Sequence, residues 1–198
     1  MKESTNPFAT RFIRPGALEY LFPPGVSAAS VVDALAANAW RGQIVGPHGS
    51  GKSTLLHALT EELTARGRHI AGFAQHDGAR RLDTSAHEVA AWNGTTQVII
   101  DGYEQLGWSS RWWIARTCRA QRAGLLVTTH ADVGLPLLYE TRPSEELAEE
   151  LAAQLLAGEA PLIDAADVSR CYHEHAGNLR ETLFALYDLY ELRRRDAS

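Results

Sequence analysis

The stretch Ile44-Val45-Gly46-Pro47-His48-Gly49-Ser50-Gly51-Lys52-Ser53-Thr54 narrows the folds open to this chain more than any other. Two apolar residues run into a glycine loop. The loop ends in Lys-Ser, ahead of Leu55, Leu56, Leu59 and Leu63 at helical spacing. The pattern is G-x-x-x-x-G-K-S between a short strand and a helix. Glycines let backbone N–H groups turn inward around an anion. A helix starting near Lys52 adds its unpaired amides and the positive end of its dipole. Lys52 has the length to meet the outer phosphates of a nucleotide, and the Ser53 hydroxyl can ligate magnesium. Gly46, Pro47, His48, Gly49, Ser50, Gly51, Lys52, Ser53 and Thr54 are therefore the expected phosphate-binding set. Among nineteen basic residues only Lys2 and Lys52 are lysines.

The rest of the chain alternates. Ala-rich residues 28 to 39 predict a short helix, 41 to 45 a strand, 52 to 66 a helix closed by Gly67, and 69 to 74 a second strand. A short helix over 85 to 92 and an Asn93-Gly94 turn lead to a third strand at 97 to 101. A helix over 110 to 123 stops at Gly124. A fourth strand follows at 125 to 129 and a fifth at 137 to 141. From Pro143 the strand pattern ceases. Ser144 can cap a helix carrying Leu147, Leu151 and Leu155, and another helix carries Leu179, Leu183, Leu186 and Tyr190. Strand–helix alternation implies an α/β fold, a parallel sheet with helices on both faces. The expected organisation is an N-terminal arm and short helix over 1 to 40, a nucleotide-binding core over 41 to 142, and a helical extension over 143 to 198. The Pro-, Gly- and aromatic-rich segment 1 to 26 is expected to lie over a surface without regular structure.

The loop, its strand and its helix resemble those of the P-loop NTPases over residues 40 to 142. Val98-Ile99-Ile100-Asp101 looks like the acidic second strand of that superfamily, which implies that Asp101 and Ser53 hold Mg²⁺. The strand ending Leu125-Leu126-Val127-Thr128-Thr129-His130 resembles the sensor strand of the additional-strand, catalytic-glutamate branch, which includes the AAA+ and STAND ATPases. That likeness implies a five-stranded sheet in the order 5-1-4-3-2, and Thr129 or His130 near a γ-phosphate. Gly177-Asn178-Leu179-Arg180 resembles the start of an AAA+ sensor helix, where Arg180 would reach back to the nucleotide. GTPases of the superfamily read guanine with an Asn/Thr-Lys-x-Asp element. No lysine is left to build one, so ATP is the expected nucleotide. The ABC signature Ser-Gly-Gly-Gln is absent as well.

One departure matters. Many members of that branch carry Glu directly after the magnesium-binding Asp, and here that position is Gly102. Glu104 is the first candidate for the water-orienting acid. Asp77, after the second strand, is the second. A slow ATP-gated interaction module without an efficient base is the third reading. A small-molecule or nucleotide kinase also stays open, with its acceptor near His76, Asp77, Arg80 and Arg81.

Other groups carry weaker signals. Arg111, Arg116, Arg119 and Arg122 fall on one arc of a helix, as arginine fingers in trans, phosphate contacts or a solvated face. Trp108, Trp112 and Trp113 beside them suggest core or interface more than base stacking. His173-Glu174-His175 lacks zinc-ligand spacing. Tyr20 and Phe22 suit packing of the arm better than covering an adenine, and Arg193-Arg194-Arg195 reads as a frayed end. Cys118 and Cys171 suggest two reduced, buried thiols. The formal net charge of -5 gives no pull toward nucleic acid, and no span is apolar enough for a membrane helix. A cytoplasmic ATPase acting with a protein partner or a second copy of itself is the overall expectation.

Overall fold

A computed structural model describes residues 6–75, 80–157 and 162–196. In chain order the elements are α1 (Thr10–Ile13), α2 (Ala28–Ala37), β1 (Arg41–Val45), α3 (Lys52–Ala65), β2 (His69–Ala74), α4 (Ala86–Ala91), β3 (Thr96–Asp101), α5 (Trp108–Ala120), β4 (Gly124–Thr129), β5 (Leu137–Glu140), α6 (Glu145–Leu155), α7 (Ala165–Glu174) and α8 (Leu179–Asp196). A single 3₁₀ turn, Tyr103–Gln105, lies between β3 and α5. The chain divides into two compact units. One comprises Met1–Glu19, Pro47–Thr54 and Arg142–Ser198, the other Tyr20–Gly46 and Leu55–Thr141.

The second unit holds a five-stranded sheet in the order β2-β3-β4-β1-β5, with every pairing parallel. This is the order expected from the sequence, read from the other edge. Successive side chains in a strand point to opposite faces, and the core divides accordingly. Val98, Ile100, Leu125 and Val127 pack with Val89 of α4 and with Ile114 and Cys118 of α5. Ile99, Leu126 and Ile44 pack with Val31, Val32 and Leu35 of α2 and Leu55, Leu59 and Leu63 of α3. All six residues of β4 are buried, as an inner strand of a parallel sheet must be. Ser27 and Ser85 cap α2 and α4 through capping boxes, which fixes where those helices start. Tyr20 and Phe22 stack edge-on with each other and with Tyr139 against the α2–α3 core, so this part of the arm is packing.

The first unit is helical. Ser144 accepts from the Leu147 N–H and starts α6 as expected. Phe8, fully buried, meets Tyr190 edge-on within a cluster built from α6, α7 and α8. The arm therefore departs from expectation in two ways: it forms one helical turn, and Phe8 anchors it in a core. Helix α7 was not among the expected elements. Its start is a capping box between Asp164 and Asp167, and Asp167 is itself buried on the inward face, where an apolar residue would have marked the helix. Arg193 supplies the reason. Both of its terminal nitrogens bond the Asp167 carboxylate, Nη2 to Oδ1 at 2.8 Å, and Nη1 also meets the Leu162 carbonyl. Arg193-Arg194-Arg195 is thus not frayed: α8 runs to Asp196, and Arg194 pairs with Glu191. Among the described residues no helix is long and apolar enough to cross a membrane.

Burial alone would push the Asp167 carboxyl up. Its bonds to Arg193, the Asp164 N–H and Arg170 outweigh that and hold it below the usual carboxylate range. A depressed folded pKa gives stability that is present above the unfolded value and lost as pH falls through the folded one. Asp167→Asn should therefore lower stability by about 1–3 kcal/mol at neutral pH in urea unfolding. The gap to wild type should close as the pH drops below about 4.

Candidate functional site

The glycine loop departs from the C-terminal end of β1, where Gly46 N–H donates to the Thr129 carbonyl at 3.1 Å. Gly49 and Gly51 take left-handed backbone angles, φ +67° and +88°, that other residues rarely adopt. These angles curl 47 to 52 around the lysine. The Lys52 ammonium is buried and donates to the Pro47 carbonyl at 2.6 Å, and the Ser50 hydroxyl donates to the same carbonyl at 2.8 Å. Lys52 and Ser53 then open the fourteen-residue helix α3. The loop tip lies against the start of α8. A Cβ added to Gly49 would fall 1.7 Å from Asn178 Oδ1, the atom that accepts from the Arg180 and Glu181 N–H groups. Gly177-Asn178-Leu179-Arg180 thus opens a helix beside the glycine loop, with Arg180 exposed in its first turn.

The sheet unit assembles a second cluster at the ends of β3 and β4. Asp101 and Thr128 project to the same face as Ile99 and Leu126. The Thr128 hydroxyl donates to Asp101 Oδ1 at 2.5 Å and accepts from the Gly102 N–H at 2.9 Å. One fully buried side chain thereby fixes both the acid and the turn behind it. The sequence reading passed over Thr128. The available signal was a hydroxyl on the face that packs against α3, one residue before the strand ends.

Gly102 has φ +79°, and a Cβ there would sit 3.0 Å from the Gln75 carbonyl. A glutamate directly after Asp101 would be strained in this turn. The chain instead enters the Tyr103–Gln105 turn and delivers Glu104. Its Oε1 lies 3.2 Å from His130 Nδ1, just past β4. Its Oε2 is buried and, among the described residues, has no hydrogen-bond partner. An orphaned buried carboxylate oxygen is costly and marks a place where a polar ligand or water is expected. Thr129, by contrast, turns to the opposite face and donates to the Ala131 carbonyl at 2.8 Å, closing the turn that carries His130.

The residues suit a magnesium-bound nucleotide in kind. Among the described residues no three His, Cys, Asp or Glu side chains are grouped to cage a metal. Magnesium needs no such cage, because it keeps most of its waters and takes one or two protein oxygens. The Ser53 hydroxyl and the Asp101 carboxylate are donors of that type.

Other candidates separate. His76 and Asp77 lie outside the described residues. Arg80 and Arg81 are exposed, and the Arg80 carbonyl accepts from Gly107 N–H and the Ser110 hydroxyl at the start of α5. The four arginines of α5 and its end do not act alike: Arg116, Arg119 and Arg122 are exposed, whereas Arg111 turns toward the Glu104 turn. Trp108, Trp112 and Trp113 are 82%, 61% and 41% exposed, so they are not core. His173 pairs with Glu145 at 3.0 Å. Cys118 and Cys171 are free and buried, and burial pushes the Cys118 thiol up to about 11.

No protein-family model and no curated protein sequence matches the chain. Solved structures do. AMPPCP-bound DnaA from Aquifex aeolicus matches over 77% of this chain and 56% of its own, at 17% identity and a TM-score of 0.54. A DNA replication initiation factor matches over 90% of this chain and 70% of its own, at 17% identity and a TM-score of 0.56. The chain thus spans little more than half the length of the DnaA it resembles. At such identities the likeness bears on the fold alone, and it agrees with the parallel 2-3-4-1-5 sheet and the glycine loop after β1. The chain has a P-loop NTPase fold.

Proposed function

We propose that this chain binds ATP with Mg²⁺ at the loop Gly46–Thr54 and hydrolyses it, using the cycle to drive or gate a conformational change or a partner interaction. The observation that carries the reading is the loop itself, with left-handed Gly49 and Gly51 wrapped around a buried Lys52 at the start of a long helix. Its backbone N–H groups and Lys52 would hold the phosphates. Ser53 and Asp101 would hold the magnesium, which supplies charge neutralisation between the outer phosphates. Arg180, at the start of α8, would add a cation.

Glu104 would be the water-orienting group. His130 holds one carboxylate oxygen, leaving Oε2 to accept from the attacking water and take its proton as the water oxygen bonds to the γ-phosphorus and the bond from that phosphorus to the bridging oxygen breaks, releasing ADP and phosphate. His130 and Thr129, at the end of β4, are the residues we assign to sensing the γ-phosphate. Assembly with a protein partner or a second copy is expected at α5 and the turn after it, where the tryptophans and Arg116, Arg119 and Arg122 are exposed.

Lys52→Ala should abolish measurable ATP-Mg binding in calorimetry, and GTP should bind wild type more weakly than ATP. Unchanged ATP affinity in the variant would refute the site. Glu104→Gln should lower turnover by roughly 10²–10⁴-fold while ATP still binds, and Asp77→Asn should act mildly. If Asp77 proves the essential residue and labelled phosphate passes to an acceptor other than water, the kinase reading replaces hydrolysis. Negligible wild-type turnover with tight ATP binding would make the chain a slow switch. If Arg119 acts in trans, specific activity should rise with protein concentration, and Arg119→Ala should stop turnover without loss of ATP binding. Activity independent of concentration would leave that helix face solvated.

A further inference from the structure

Four arginines on one helix arc suggest one shared role, and the structure separates Arg111 from the others. Its Nη2 donates to the Glu104 carbonyl at 2.6 Å and its Nε to the Leu106 carbonyl at 2.8 Å. The guanidinium carbon lies 5.4 Å from the centre of the Tyr103 ring, and the Tyr103 hydroxyl donates back to the Arg111 carbonyl at 3.3 Å. Every residue from Tyr103 to Leu106 except Gln105 is thus engaged by this one side chain. Burial pushes the Tyr103 phenol up, so it stays protonated and able to donate.

A short helical turn ends with carbonyl groups that have no partner within it. In most turns water satisfies them. Here a rigid planar fork spans two, and the fork fixes their separation as a single point charge would not. The side chains of Tyr103 and Leu106 are nearly fully buried in the core under α5, which holds the turn's apolar side. Glu104 has no such anchor. Its carboxylate has His130 on one oxygen, and its main chain has Arg111.

We infer that Arg111 is the positioning residue for Glu104, fixing through its main-chain carbonyl where the carboxylate stands. The inference rests on the reading of Glu104 as the water-orienting group. It assigns Arg111 to the protein's own catalytic turn, not to a neighbouring subunit or a nucleic-acid phosphate, and it makes α5 and the turn a single piece.

The test compares steady-state ATP turnover, ATP affinity and thermal stability in wild type, Arg111→Ala, Arg111→Lys, Glu104→Gln and the double variant Arg111→Ala/Glu104→Gln. Arg111→Ala should lower kcat about 10- to 100-fold, as a misplaced catalytic group does, with ATP affinity within about twofold of wild type. Arg111→Lys should remain impaired, because an ammonium cannot reproduce the fork, and methylguanidinium added to Arg111→Ala should restore part of the rate. The double variant should be no slower than Glu104→Gln alone, since the arginine acts through the glutamate. Wild-type turnover in Arg111→Lys would overturn the fork. Full turnover in Arg111→Ala, or its loss together with ATP binding or folding, would overturn the positioning role while leaving Glu104 in place. A Glu104→Gln variant as active as wild type would instead overturn the reading of Glu104, and the inference with it.

Discussion

A parallel sheet covered by helices on both faces leaves almost no room for polar chemistry within its strands. Every side chain of β4 is buried, and those of β3 are buried up to Ile100, alternating between the α4–α5 side and the α2–α3 side. Polar groups there must find partners at once or pay desolvation. They can accumulate only where the strands stop. All five strands run the same way, so those stopping points share one edge. Asp101, Thr128, His130 and the exit of β1 into its glycine loop follow from that constraint.

At this edge the Thr128 hydroxyl matters most. It joins β4 to the last residue of β3 and to the first amide beyond it, so the acid and the turn are set together. Gly102 is left-handed and crowded by the Gln75 carbonyl, so a side chain there would be strained, and the nearest carboxylate beyond Asp101 is that of Glu104. A turn has more freedom than a strand end. Tyr103, Leu106, Arg111 and His130 supply the restraints on this turn.

The helical unit rests on a different balance. Its core is apolar around Leu186 and Tyr190, but one buried face of α7 carries Asp167, held by Arg193 across from α8. Taking one charge away would leave the other without its partner, so the pair keeps α7 and α8 in register although it adds little to burial. Asn178, the residue just before α8, lies against Gly49, which links the register of the helices to the tip of the glycine loop.

The sequence determined much by itself. Strict spacing in Gly46–Thr54, apolar runs at 41–45, 69–74, 97–101 and 125–129, and leucines at helical period specify the strands and their helices, because local pattern decides local structure there; the sheet order came from the resemblance those motifs carry. Asp101, Lys52 and Glu104 were legible as single residues of fitting chemistry at fixed distances from a motif. The tertiary structure decided what pattern does not encode. Helix α7 stayed hidden because its inward face holds an aspartate whose partner lies 26 residues later in the chain. Thr128 looked like any strand threonine until β3 and β4 were paired. Arg111 and Arg119 looked alike on a helical wheel, yet only one meets the turn before α5. Each of these depends on which residues distant in sequence become neighbours, and that is settled by packing the elements together.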